Sequence, residues 1–157
     1  MKAIKFLLLI IITSSFTLFQ KTEFKIQDFE KMTKMNANDF ETYILNRGFE
    51  FEKTKNYKSF DVIYYKKRNA FISKSVSTEL PLMYSVFYET SSKTEYLNLK
   101  KQAEILGYKY KKTDDQTINR DNSYHNIYVK GEMELDFYIS SRNENLGYYL
   151  GVAFIEN

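Results

Sequence analysis

The sequence predicts an α+β fold: a two-layer sandwich in which about eight antiparallel strands carry helices on one face. Two observations lead to it. Helix-period apolar spacing is confined to two short regions, and nearly everything else alternates or is β-branched and aromatic. A helix stop followed at once by an alternating strand also occurs twice, at Gly48-Phe49-Glu50-Phe51-Glu52-Lys53-Thr54 and at Gly107-Tyr108-Lys109-Tyr110-Lys111-Lys112-Thr113.

These two stretches head two series of matches. An offset of 59 relates Phe49 to Tyr108, Phe51 to Tyr110, Lys53 to Lys112 and Thr54 to Thr113. An offset of 64 then relates Ile63-Tyr64 to Ile127-Tyr128, Leu82 to Leu146 and Tyr84 to Tyr148, so five residues are inserted within Thr113–Ser123. A period near sixty is too long for the common solenoid repeats and reads as a tandem duplicated unit of a helix plus antiparallel strands. The units run over 20–91 and 92–157. Chance is the alternative, because a chain this rich in Tyr, Phe and Lys aligns easily with itself.

The chain starts with Lys2 and Lys5, then an apolar stretch from Phe6 to Phe19 that Thr13-Ser14-Ser15 interrupts. That stretch is shorter than a bilayer-spanning helix, so residues 1–19 read as a secretory signal peptide. No Ala-x-Ala box follows, and an uncleaved anchor is the alternative; the membrane is expected as a partner only through it. The expected location is periplasmic or extracellular.

The first unit opens with a helical pattern from Ile26 to Asn46. Phe29, Met32, Phe40, Tyr43 and Ile44 keep i, i+3, i+4 spacing, and Asn36-Ala37-Asn38 divides the run. Asn38 with Glu41 reads as a capping box, which makes the run either one helix or two. Gly48 is the expected left-handed stop. Strands follow at Phe49–Thr54, Phe60–Tyr65, Ala70–Val76 and Leu82–Thr90, with Lys66–Asn69 as a hairpin turn. The second unit has a capped helix from Ser92 through Tyr96, Leu99, Ala103 and Leu106 to Gly107. Its strands are expected at 108–113, Tyr124–Val129, Met133–Ile139 and Gly147–Ile155. Thr113–Ser123 and Ser140–Asn145 read as loops. Gly151 is expected to admit a helix or another backbone. The glutamates after Gly48 and the lysines after Gly107 would face each other if the two strands met.

Composition excludes several functions. There are no cysteines, hence no disulfides, thiolate metal sites or thiol nucleophiles. Of 23 basic residues, two lie in the leader, and 20 acidic residues nearly balance the rest. Nothing in that balance draws the chain to nucleic acid. His125 is the only histidine and reads as a packed or surface strand residue. Asp114-Asp115 and Asn119–Asn122 gather oxygen ligands without the glycine and terminal glutamate of a calcium loop, and read as a solvated loop. No cofactor and no metal is expected. Carboxylate hydrolysis would need two of Asp61, Glu132, Glu134 and Asp136 together in one pocket.

What remains is a set of aromatic strand residues: Phe60, Tyr64, Tyr84 and Tyr88, aligned with Tyr124, Tyr128, Tyr148 and Val152. Tyrosine joins broad apolar contact to a polar tip and is enriched at interfaces. If this face is open, Tyr64, Tyr84, Tyr88, Tyr128 and Tyr148 form a binding surface; if the helices cover it, they are core. The order of elements, though no motif, resembles secreted inhibitors built from tandem helix-plus-sheet repeats, which hold protein partners on a concave sheet. Helix count and the missing disulfides depart from that pattern. The resemblance implies an exported, non-enzymatic binding module of inhibitor or immunity type. A small-molecule, glycan or lipid binder of the envelope is the second reading, and a carboxylate hydrolase the third.

Overall fold

A computed structural model describes residues 24–77, 85–116, 123–142 and 145–154. Three helices, α1 (Ile26–Lys34), α2 (Ala37–Leu45) and α3 (Lys93–Ile105), lie against one face of an eight-stranded antiparallel sheet. The strands are β1 (Glu50–Asn56), β2 (Phe60–Lys67), β3 (Ala70–Ser77), β4 (Ser85–Thr90), β5 (Lys109–Gln116), β6 (Ser123–Lys130), β7 (Met133–Arg142) and β8 (Asn145–Phe154). Their order across the sheet is β1-β2-β3-β4-β8-β7-β6-β5. The expected leader and the loop 117–122 lie outside the described residues.

Local chemistry sets the helix boundaries. The run from Ile26 is two helices. Phe24 staples onto Phe29 at 5.3 Å across the start of α1, and the Asp28 carboxylate accepts the Lys25 N–H at 2.8 Å. The cap of α2 is Asn36 rather than Asn38: its side chain accepts the Asp39 N–H at 2.9 Å. Ser92 caps α3 through the Glu95 N–H at 3.2 Å, while the Glu95 carboxylate takes the Thr90 hydroxyl instead of closing a box. α2 and α3 end alike. Gly48 (φ 77°) and Gly107 (φ 86°) are left-handed, and their N–H groups bond to the carbonyls of Leu45 and Glu104.

The core lies between helices and sheet. Phe24, Phe29, Met32, Phe40, Ile44, Tyr65, Ile72, Tyr88, Leu99, Phe137 and Leu150 are almost wholly buried there. Each such side chain contributes about 1.5–3 kcal/mol. Burial pushes the hydroxyls of Tyr65 and Tyr96 up to about 12, and that of Tyr43 to about 12 with help from its bond to Asp28. α1 crosses the middle of the sheet over β4 and β8. Its C-terminal carbonyls meet Lys74, a fully buried residue whose Nζ donates to Met32 O at 2.6 Å.

The strand pairings of the two halves match. β1 and β5 both break register at their third residue, between Phe51 and Lys53 and between Tyr110 and Lys112. Phe51 pairs with Tyr65 as Tyr110 pairs with Tyr128, and Tyr65 pairs with Ile72 as Tyr128 pairs with Leu135. The hairpins Arg68-Asn69 and Gly131-Glu132 share a left-handed first residue. The shared register gives offsets of 59 for β1/β5, 63 for β2/β6 and β3/β7, and 64 for β4/β8. Phe87 and Gly151 are therefore equivalent, and they are also paired with each other. A pseudo-twofold axis normal to the sheet passes through that pair.

Several expectations change. β5 runs on to Gln116 and β7 to Arg142, because pairing with β6 and β8 overrides polar sequence. β1 and β5 lie at opposite ends of the sheet, so their charged residues never face each other; Lys111 reaches Glu134 instead, at 3.3 Å. What approaches Gly151 is not backbone but the Phe87 ring, 3.2 Å from where a Cβ would stand.

Candidate binding face

In an antiparallel sheet, directly paired residues share a face. Tyr65, Tyr88, Phe137 and Tyr148 touch helix side chains, so residues one step away point to the other side. No described helix covers that side. One row across it comprises Tyr64, Ser73, Phe87, Gly151, Asp136 and Ile127. The adjoining row is Lys66, Phe71, Glu89, Tyr149, Tyr138 and His125.

Side-chain contacts join the second row at both ends. Lys66 Nζ lies 5.2 Å from the Phe71 ring centre, and the Tyr149 hydroxyl donates to Glu89 at 3.1 Å. Tyr149 and Tyr138 stack at 4.7 Å and 4°, and Tyr138 and His125 at 4.4 Å and 19°. Gly147 makes room at the end of the stack: a Cβ there would come within 2.7 Å of the Tyr149 ring.

The pseudo-twofold axis carries Tyr138 to Ser75 and His125 to Val62. At these two slots the second half carries stacked rings and the first half smaller side chains, which leave a hollow. The hollow is a groove of about 1050 Å³. Its floor is Val62, Ser73 and Ser75, all buried even without a helix above them. Tyr64, Phe87 and Tyr149 wall it, and the stacked pair Tyr57 and Phe60 stands at its end. Lys53 and Lys55 both place Nζ within 6 Å of the Tyr64 ring.

The five tyrosines expected on this face do not gather there. Tyr64 lines the groove with its ring, and Tyr88 also contributes to the lining. Tyr88, Tyr128 and Tyr148 are 2%, 6% and 8% exposed and belong to the helix-side core. Tyr84 lies outside the described residues. The helices cover the face that Tyr88, Tyr128 and Tyr148 share, and a slip of one residue parts Tyr64 from them. Matching Ile63-Tyr64 to Ile127-Tyr128 by identity uses an offset of 64, whereas the register is 63 and equates Tyr128 with Tyr65. A one-residue slip in a strand exchanges its faces. The alternation Phe71, Ser73, Ser75, Ser77 was the signal that could have marked the groove floor.

Three of the four candidate carboxylates are engaged by other side chains. Asp61 accepts from Asn56 at 2.8 Å, Glu134 from Lys111, and Asp136 from His125 at 2.7 Å. Among the described residues no three His, Asp or Glu side chains could hold a metal ion, and no helix is long and apolar enough to cross a membrane. His125 is not isolated: Ser123 Oγ lies 3.1 Å from its Nε2. No family model, curated protein or solved structure matches this chain.

Proposed function

We propose that this is an exported binding module, of inhibitor or immunity type, that holds a polypeptide segment of a protein partner in the groove of its open sheet face. The observation that carries the reading is the groove itself, aromatic-walled, serine-floored and on the side no described helix covers. Its volume sits at the upper limit of small-molecule sites, about 300–1000 Å³, and suits an extended segment. Rings supply apolar contact, the serine hydroxyls supply hydrogen bonds, and Lys53 and Lys55 favour a segment with acidic side chains. The basic, then apolar start of the sequence supports export. Binding of this kind asks for no cofactor, nucleic acid or metal.

A photo-crosslinking residue in place of Ser75, introduced in the producing cell, should trap a discrete partner, and the same residue in place of exposed Ile105 on α3 should not. Adding Lys53→Glu and Lys55→Glu should abolish the Ser75 adduct. Equal trapping from both positions would sink the reading. A small apolar or sugar-like ligand is the second reading, favoured by the sheltered floor. Native mass spectrometry of gently purified protein would show it as added mass that Ser75→Tyr removes.

We also infer that the two halves descend from one copied unit. The matching left-handed glycines, register breaks and hairpins support this, as does the self-pairing of Phe87 with Gly151.

A further inference from the structure

We propose that Ser123, His125 and Asp136 form a nucleophile–base–acid relay that makes Ser123 Oγ reactive toward small acyl esters. This inference does not rest on the groove holding a partner.

The geometry comes from the sheet. Ser123 and His125 are two residues apart on β6, so both side chains leave the same face. Asp136 reaches that face from β7, beside His125. Its Oδ2 lies 2.7 Å from His125 Nδ1, and His125 Nε2 lies 3.1 Å from Ser123 Oγ. A carboxylate can only accept, so Nδ1 carries the proton and Nε2 turns its lone pair to the serine hydroxyl. This is the arrangement that activates a serine, and it is recognised by geometry and roles rather than by order in the chain.

Two further features hold it. The ring of His125 stacks on Tyr138, which stacks on Tyr149, which is anchored to Glu89. The imidazole is thus fixed in plane as well as by its bonds. The relay is also largely dry: the side chains of His125 and Asp136 are 14% and 29% exposed, and Ser123 is 8% exposed. A buried hydroxyl admits only a small acyl group, such as acetyl.

The reaction balances without a cofactor. Oγ attacks the carbonyl carbon and its proton passes to Nε2. The imidazolium returns that proton to the leaving oxygen as the ester C–O bond breaks, leaving an acyl-serine. Water, deprotonated by Nε2, attacks the acyl carbon; Oγ leaves and regains the proton, and the acid is released. Ser123 and His125 are the catalytic residues. Asp136 and Tyr138 position the base.

The full chain treated with an alkyl fluorophosphonate should gain one adduct, with a P–O bond formed at Ser123 Oγ and fluoride released, and peptide mapping should place it on Ser123. His125→Gln and Asp136→Asn should slow labelling about tenfold or more while far-UV circular dichroism and the melting curve stay unchanged. Asp136→Glu should recover part of the labelling that Asp136→Asn loses, which a merely structural role would not do. Hydrolysis of p-nitrophenyl acetate should follow the same order. No adduct on the folded native chain overturns the proposal. So does an adduct elsewhere, or one formed as fast in folded His125→Gln. Should Ser123→Ala fail to fold, the mapped adduct on the native chain still decides.

Discussion

The halves before and after residue 91 share a backbone plan but differ at a few decisive slots. On the helix side, Lys74 and Phe137 are equivalent. Phe137 packs edge-on against Tyr96 and Tyr128, while Lys74 reaches the last carbonyls of α1, a helix with no counterpart among the described residues of the second half. On the open side, Ser75 and Val62 stand where the second half has Tyr138 and His125. At these slots the second half carries stacked rings and a polar relay, and the first half leaves a hollow. At the axis the same position is Phe87 in one half and Gly151 in the other, because two rings could not share that spot. The comparison teaches that the shared backbone fixes where side chains go, and small substitutions at equivalent slots divide the labour.

The largest effect should come from exchanging the helix-side slots. Phe137→Lys would place an ammonium in the core where no helix end offers it carbonyls. A loss of at least about 4 kcal/mol is expected, read as failure to fold or a collapsed urea midpoint. A mild effect would mean that the second half shelters a cation as well as the first.

Gly151→Phe comes next. Two rings would collide at the axis, costing about 3 kcal/mol in denaturant unfolding. The exchange Phe87→Gly with Gly151→Phe should recover at least half of that loss, because the axis interchanges the two positions. A double variant no better than the single one would break the equivalence.

Lys74 gives the smallest and most diagnostic effect. Burial lowers its ammonium to about 8, against 10.5 when unfolded. The folded state thus binds fewer protons between those values, and stability rises with pH there. Relative to Lys74→Met, the native protein should gain roughly 2 kcal/mol between pH 7 and pH 10 in urea titrations. Above pH 10 the buried tyrosines pull the other way. They stay protonated in the folded chain while the unfolded chain ionises, and that loss cancels in the comparison. Parallel pH curves for the two proteins would remove Lys74 as the source.

Much of the fold was legible in the sequence. The two glycine stops, the amphipathic runs and the short hairpins each have a local cause, so they can be read locally. The site was less legible. Tyr64 and Tyr65 are adjacent, and only strand pairing decides which of them enters the core. Lys74 looks like a surface residue until α1 is placed above it. Ser123 reads locally as the end of a loop, and only its pairing with Gln116 brings it onto the strand face of His125; that Asp136 completes the set depends on β6–β7 register. Face and register are properties of the assembled sheet, and the tyrosine set was lost there.

The irregular third residue of β1 and β5 has a wider consequence. These are the two outermost strands, and each leaves a line of backbone donors and acceptors with no neighbour in the sheet. A straight, apolar border would invite other copies to add on and grow a fibril. The kink at Glu52 and its counterpart at Lys111, set among charged residues, spoil that template at both borders. In a chain rich in strands and with no disulfide, both borders thus offer a further copy a poor template.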